Sequence, residues 1–101
     1  MNQLKQTQEL LEKMEAFQKE LEDKEVSGES GTGLVKVRIN CKGFVKSIKI
    51  DGGLLVPSEV EILEDLIVAA YNDARRKADA LVEEESRKLT LGLPKIPGLS
   101  F

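Results

Sequence analysis

A stretch of 31 residues, 58–88, contains neither Gly nor Pro and is typical of one continuous helix. At about 1.5 Å per residue such a helix is about 46 Å long. A globular domain of about 100 residues has a radius of gyration near 13 Å and is little more than about 30 Å across. We therefore expect part of this helix to project beyond the domain that contains it.

The start of this helix carries a capping signal, since Ser58 is followed three residues later by Glu61. From Val60 to Ala74 the apolar residues spread over more than one helical face, and a helix that is apolar on two sides needs two packing partners. One partner is the chain's own sheet, and a second copy of the chain is the simplest other one. The predicted homodimer interface comprises Val60, Leu63, Leu66, Ile67 and Ala70.

The N-terminal segment, from Asn2 to about Asp23, predicts a second, amphipathic helix. Its apolar residues include two pairs spaced seven apart, Leu4 with Leu11 and Met14 with Leu21. This spacing permits a coiled-coil-like seam. An ordinary helix packed on its own sheet explains the pattern equally well, and the sequence leaves both interpretations open.

Residues 24–51 are rich in Val, Ile and Gly and predict a three-stranded antiparallel meander, with turns at 30–33 and 41–43. In the middle strand Val35, Val37 and Ile39 alternate with polar or basic residues, so one face of the sheet is expected to be apolar and the other basic. In the last strand Val45 is out of phase with Ile48, which predicts a bulge near residues 46–47.

Positive charge is concentrated in the sheet segment. The chain has a formal net charge of -3, but residues 34–50 contain five basic residues and no Asp or Glu. Such a local cationic surface suits DNA phosphates even in an acidic protein. The predicted DNA-binding residues are five in the sheet and three on the long helix: Lys36, Arg38, Lys42, Lys46, Lys49, Arg75, Arg76 and Lys77. Alternatively, the strand lysines only discourage edge pairing between sheets.

The order of these landmarks resembles the YbaB/EbfC family of bacterial nucleoid-associated proteins. The segments that carry the resemblance are "VSGESGTGLVKVRINCKGFVKSIKID", "LLVPSEVEILEDLIVAAYNDARRKA" and a terminal "LGLP" followed by "PG". The resemblance implies an α+β fold of long helix, three-stranded antiparallel sheet and long helix, assembled as a tweezer-like homodimer. It also implies binding to duplex DNA in the cytoplasm and nucleoid, with a role in nucleoid organisation or gene regulation.

Several other classes of function are disfavoured. The chain has no His and one Cys, Cys41, so the usual sets for metal binding or nucleophilic catalysis are missing, and we expect no enzyme, metal, cofactor or small-molecule substrate. With 4% aromatic residues a base-stacking platform for single strands is not expected, nor is a membrane span. One domain over 1–90 and a flexible tail over 91–101 are predicted. The competing hypothesis is a dimeric adaptor that docks an acidic protein on the basic sheet face.

Overall fold

The computed structural model describes residues 2–91, with side chains for residues 6–88. The elements are α1 (Asn2–Asp23), β1 (Glu25–Ser30), β2 (Val35–Asn40), β3 (Val45–Ile50) and α2 (Val60–Leu91). This order confirms the predicted α+β arrangement of long helix, sheet and long helix. The predicted tail, 91–101, lies outside the described residues except for Leu91, which ends α2.

The three strands form one antiparallel sheet in the order β1-β2-β3. Gly31, Thr32 and Gly33 in the first turn and Gly43 in the second have positive φ angles, which explains the glycines at both turns. Between β2 and β3 the register shifts by one residue, because Arg38 pairs with Ser47 whereas the next residue of β2 pairs with Val45. The predicted bulge is confirmed.

Helix α2 packs across one face of the sheet, mainly on β1 and β2. Its contact face is a row of small residues, Ala70, Ala74 and Ala78, all fully buried over the valines and isoleucine of β2. Gly28 of β1 lies under the same row, and a side chain there would collide with backbone atoms of Ala70 and Ala74. The helix therefore lies close to the sheet, because no large side chain separates the two surfaces.

The start of α2 differs from the prediction. Residues Pro57–Glu59 form a short 3-10 turn, and α2 begins only at Val60. Ser58 lies inside this turn and does not act as the predicted N-cap, so the capping box with Glu61 is wrong. Pro57 explains the difference, because its fixed φ angle suits the first position of a helical turn and moves the initiation point ahead of Ser58.

The molecule is elongated, with extents of 67 × 20 × 16 Å and a radius of gyration of 19.0 Å. Ala78 is the last α2 residue in the buried core, and the helix continues past it to Leu91, as predicted. Helix α1 is attached near its C-terminal end, where Leu21 is buried and its carbonyl accepts a hydrogen bond from the Cys41 N–H. No helix among the described residues is long and apolar enough to cross a membrane.

Candidate nucleic-acid interface

The face of the sheet opposite α2 carries three of the eight predicted cations. Val35, Val37 and Ile39 of β2 point towards α2, so the alternate residues Lys36 and Arg38 lie on the outer face. In the β2–β3 register Lys36 lies directly opposite Lys49, and Arg38 lies opposite Ser47. The fold therefore brings two lysines that are 13 positions apart in the sequence side by side on one surface.

Lys46 is the extra residue of the β3 bulge. The bulge allows Val45 to pair with Ile39 and still lets Ile48 pair with Val37, so the apolar residues of β3 keep the same face. Lys46 is exposed, and its charge contributes to lowering the pKa of Glu22, after the larger effect of Lys42. It forms no ion pair with any side chain that the structure describes.

Two of the five sheet-segment cations are neutralised within the chain. Arg38 Nε lies 3.1 Å from Glu25 Oε1 on β1, and Lys42 Nζ lies 2.9 Å from Glu22 Oε1 on α1. The hydrogen bond and charge of Lys42 hold the pKa of Glu22 below its usual value. Lys36, Lys46 and Lys49 form no such pair among residues 6–88, although Glu29 lies opposite Lys36 in the β1–β2 register.

The three predicted cations of α2 separate onto two sides of the helix. Arg75 lies over the β2–β3 turn, because its guanidinium occupies the space where a Gly43 side chain would be. Beside it, the Tyr71 hydroxyl donates a hydrogen bond to the Gly43 carbonyl over 3.3 Å. Arg75 is thus brought to the basic sheet segment next to Lys42, although its Nε also lies 3.4 Å from Asp79 Oδ1.

Arg76 and Lys77 are engaged on the opposite side of α2, at β1. Both form ion pairs with Asp73, over 3.5 Å for Arg76 and 3.1 Å for Lys77. Lys77 Nζ also donates to the backbone carbonyl of Ser27 over 3.0 Å. The structure therefore does not bring the eight predicted cations into one patch.

Asp73 and Asp79 dilute the cations of α2, as their places beside these cations in the sequence indicate, but sequence reasoning missed the acidic residues that neutralise part of the sheet segment. Asp73 precedes Lys77 by four positions and Asp79 follows Arg75 by four, a spacing that favours ion pairs on a helix. Glu22 and Glu25 gave no such signal, because their partners belong to other elements. The unopposed charge is consequently smaller than the composition of residues 34–50 suggested.

The predicted interface residues of α2 differ in their exposure. Ala70 is fully buried in the chain's own core, and Leu63, Leu66 and Ile67 are partly buried against that core. Val60 is 46% exposed. Apolar side chains are also exposed on α2, on β3, in the loop between them and in the β2–β3 turn: Phe44, Val45, Ile48, Leu55, Val56 and Val68.

Comparison with known proteins places these features in a family. A nucleoid-associated protein of Bradyrhizobium sp. is 54% identical over 97% of this chain and 92% of its own length. Another, from Rhizobium meliloti, is 48% identical over 100% of this chain and 94% of its own.

The crystal structure of an uncharacterized Helicobacter pylori protein has the same fold. It is 25% identical, superposes with a TM-score of 0.67, and covers 91% of this chain and 94% of its own. The model of the YbaB/EbfC DNA-binding family matches residues 1–93. The chain therefore belongs to the YbaB/EbfC DNA-binding family.

Proposed function

We propose that this protein binds double-stranded DNA as a homodimer, mainly through phosphate contacts on the outer face of its sheet. The observation that carries the proposal is the pairing of Lys36 with Lys49. Like charges directly opposite on neighbouring strands are destabilising. Neither lysine forms an ion pair with a described side chain, although Glu29 lies opposite Lys36 on the other neighbouring strand, so an external anion would relieve the repulsion that remains.

A DNA phosphate is the anion that best suits this surface. Phosphate contacts need exposed cations and release condensed counterions when they form. The outer-face positions of β2 and β3 hold Lys36, Arg38, Ser47 and Lys49, with no aromatic residue among them on which an unstacked base would lie. Such contacts position a protein on the duplex without reading its sequence.

The homodimer is supported by exposed apolar side chains on β3 and α2. Helix α2 covers mainly β1 and β2, so Val45 and Ile48 of β3 remain 49% and 47% exposed although they lie on the apolar side of the sheet. Val68, on α2, is 59% exposed. A second copy would cover this surface and double the number of unopposed lysines available to one duplex.

The family and its relatives support the place of action. The Bradyrhizobium and Rhizobium meliloti relatives are named nucleoid-associated proteins. We place this protein in the same setting, on chromosomal DNA in the cytoplasm, where it would contribute to nucleoid organisation or gene regulation.

The test is a salt titration of duplex binding for the parent and for Lys36→Gln/Lys49→Gln. We expect the variant to bind all duplexes more weakly by a similar factor, and the slope of log affinity against log salt to flatten by about 2 per chain engaged. Arg87→Gln/Lys88→Gln is the control, since it removes two cations of α2 that are not part of the sheet. If the control variant loses as much DNA affinity as the sheet variant, the loss is an effect of net charge alone.

An unchanged affinity and slope in the sheet variant would contradict the proposal. The outer face would then be free for another anion, and binding of an acidic protein partner would become the better hypothesis. A pull-down with acidic peptides, compared between the parent and the same double variant, separates the two functions.

A further inference from the structure

The outer edge of the sheet at β1 is covered by an ion pair from α2. Strand β1 has β2 on one side and no strand on the other. On that free side the Glu29 N–H donates to Asp73 Oδ2 over 3.1 Å, and Lys77 Nζ donates to the Ser27 carbonyl over 3.0 Å. Asp73 and Lys77 are themselves joined over 3.1 Å.

These two side chains imitate one residue of a neighbouring strand. In a parallel pair, a residue donates its N–H to the carbonyl of one residue on the neighbouring strand. Its own carbonyl accepts the N–H of the residue two positions further along that neighbouring strand. Lys77 supplies that donor to Ser27, and Asp73 supplies that acceptor to Glu29. Two of the edge groups that an incoming parallel strand would need are therefore already occupied.

A second copy of this chain carries a suitable strand, β3. Because β1 and β3 are each antiparallel to β2, they run in the same direction. If a second copy extends the sheet at the β1 edge with its outer face on the same side as that of the first copy, its β3 lies beside β1 and runs parallel to it. The charges are complementary, since β1 exposes Glu25 and Glu29, whereas β3 exposes Lys46 and Lys49. Pairing of two β1 strands would instead bring carboxylates together.

We propose that the Asp73–Lys77 ion pair closes the β1 edge against β3 of a second copy and so prevents head-to-tail growth of the sheet. A β1–β3 contact between copies is heterologous and leaves a free edge at each end, so it would continue into an open assembly. Natural sheets commonly block such edges with charged side chains. This role is independent of DNA binding, and it gives Lys77 a function other than the predicted phosphate contact.

The test is the double variant Asp73→Ala/Lys77→Ala, studied without DNA by sedimentation over a range of concentrations. Alanine maintains the helix, so the variant removes the edge contacts together with the exposed Asp73–Arg76 ion pair. We expect its mean mass to rise with concentration to multiples of the parent's mass. Glu83→Ala/Arg87→Ala is the matched control, because it removes an ion pair of the same i,i+4 spacing on α2 that contacts no strand, and it should behave as the parent.

The identity of the partner strand is tested by adding Lys46→Glu and Lys49→Glu to the double variant. These changes place like charges opposite Glu25 and Glu29, so the larger assemblies should disappear. Assemblies that persist would show that β3 is not the partner, and a folded double variant with the parent's mass at every concentration would overturn the edge closure.

Amide exchange on the parent provides a test that needs no variant. The Glu29 N–H is expected to exchange as slowly as the paired amides of β1, because Asp73 accepts its hydrogen bond. Exchange at the rate of an unprotected amide in the folded protein would show that the edge is open. This measurement decides the question even if the double variant fails to fold, which far-UV circular dichroism will reveal.

Discussion

Gly28 of β1 and Ala74 of α2 are in direct backbone contact across the helix–sheet interface. A Cβ atom on Gly28 would lie 2.8 Å from the Cα of Ala74, and it would also collide with the Ala74 nitrogen and the Ala70 carbonyl. All three are main-chain atoms, so no side-chain rotation can create the missing space. The close approach of α2 to the sheet thus depends on the absence of a side chain at residue 28.

Gly28→Ala is accordingly expected to destabilise the protein by about 3 kcal/mol, the upper part of the usual range for overpacking, because α2 itself must shift. Urea denaturation followed by circular dichroism measures the change. Gly52→Ala is the control, since nothing lies within 4 Å of its Cβ position, and its free energy of unfolding should change by no more than about 0.5 kcal/mol. Equal midpoints for the two variants would show that the interface is looser than described.

Much of this fold could be predicted from local patterns. The period of apolar residues predicted both helices, and the alternation in β2 predicted its two faces. The phase change between Val45 and Ile48 predicted the bulge, because a strand that keeps one face apolar must insert a residue where the alternation fails. The start of α2 could not be placed as well, because Ser58 and Pro57 both favour helix initiation at adjacent positions.

The candidate site was less predictable, because charge compensation depends on which elements meet. Five cations were apparent in residues 34–50, but Lys42 meets Glu22 and Arg38 meets Glu25 only after folding. The opposition of Lys36 and Lys49 likewise follows from the strand register, which the turn and the bulge set together.

The titration of Asp73 provides a pH-dependent prediction. The hydrogen bond from the Glu29 N–H, and then that from Lys77, hold the pKa of Asp73 below its usual value. A carboxyl group with a lowered folded-state pKa stabilises the protein at pH values above its unfolded pKa, about 3.9, and this contribution is lost as pH falls through the lower folded value. Carboxyl NMR should therefore show a lowered pKa that Lys77→Ala raises only in part.

The same effect should appear in stability. Between about pH 5 and pH 2 the parent should lose more of its free energy of unfolding than Asp73→Asn, which keeps an acceptor for Glu29 but does not titrate. Glu22 and Glu85, whose pKa values are also lowered by lysine partners, titrate in both proteins and cancel in the comparison. Parallel pH profiles for the two proteins would mean that the Asp73 contacts do not persist in solution.

The last prediction concerns the proposed homodimer. Leu66 is a poor position for testing it, because it packs partly against the chain's own core and its carbonyl accepts a hydrogen bond from Ser30 Oγ. Val68 is 59% exposed within the apolar span of α2, so Val68→Glu should leave the protomer folded while placing an unpaired carboxylate in the interface. Such a charge costs several kcal/mol when buried, so sedimentation should show a monomer, whereas we expect a dimer for the parent. Ala80→Glu, at an exposed position further along α2, should remain dimeric. A folded, dimeric Val68→Glu protein would place the interface elsewhere.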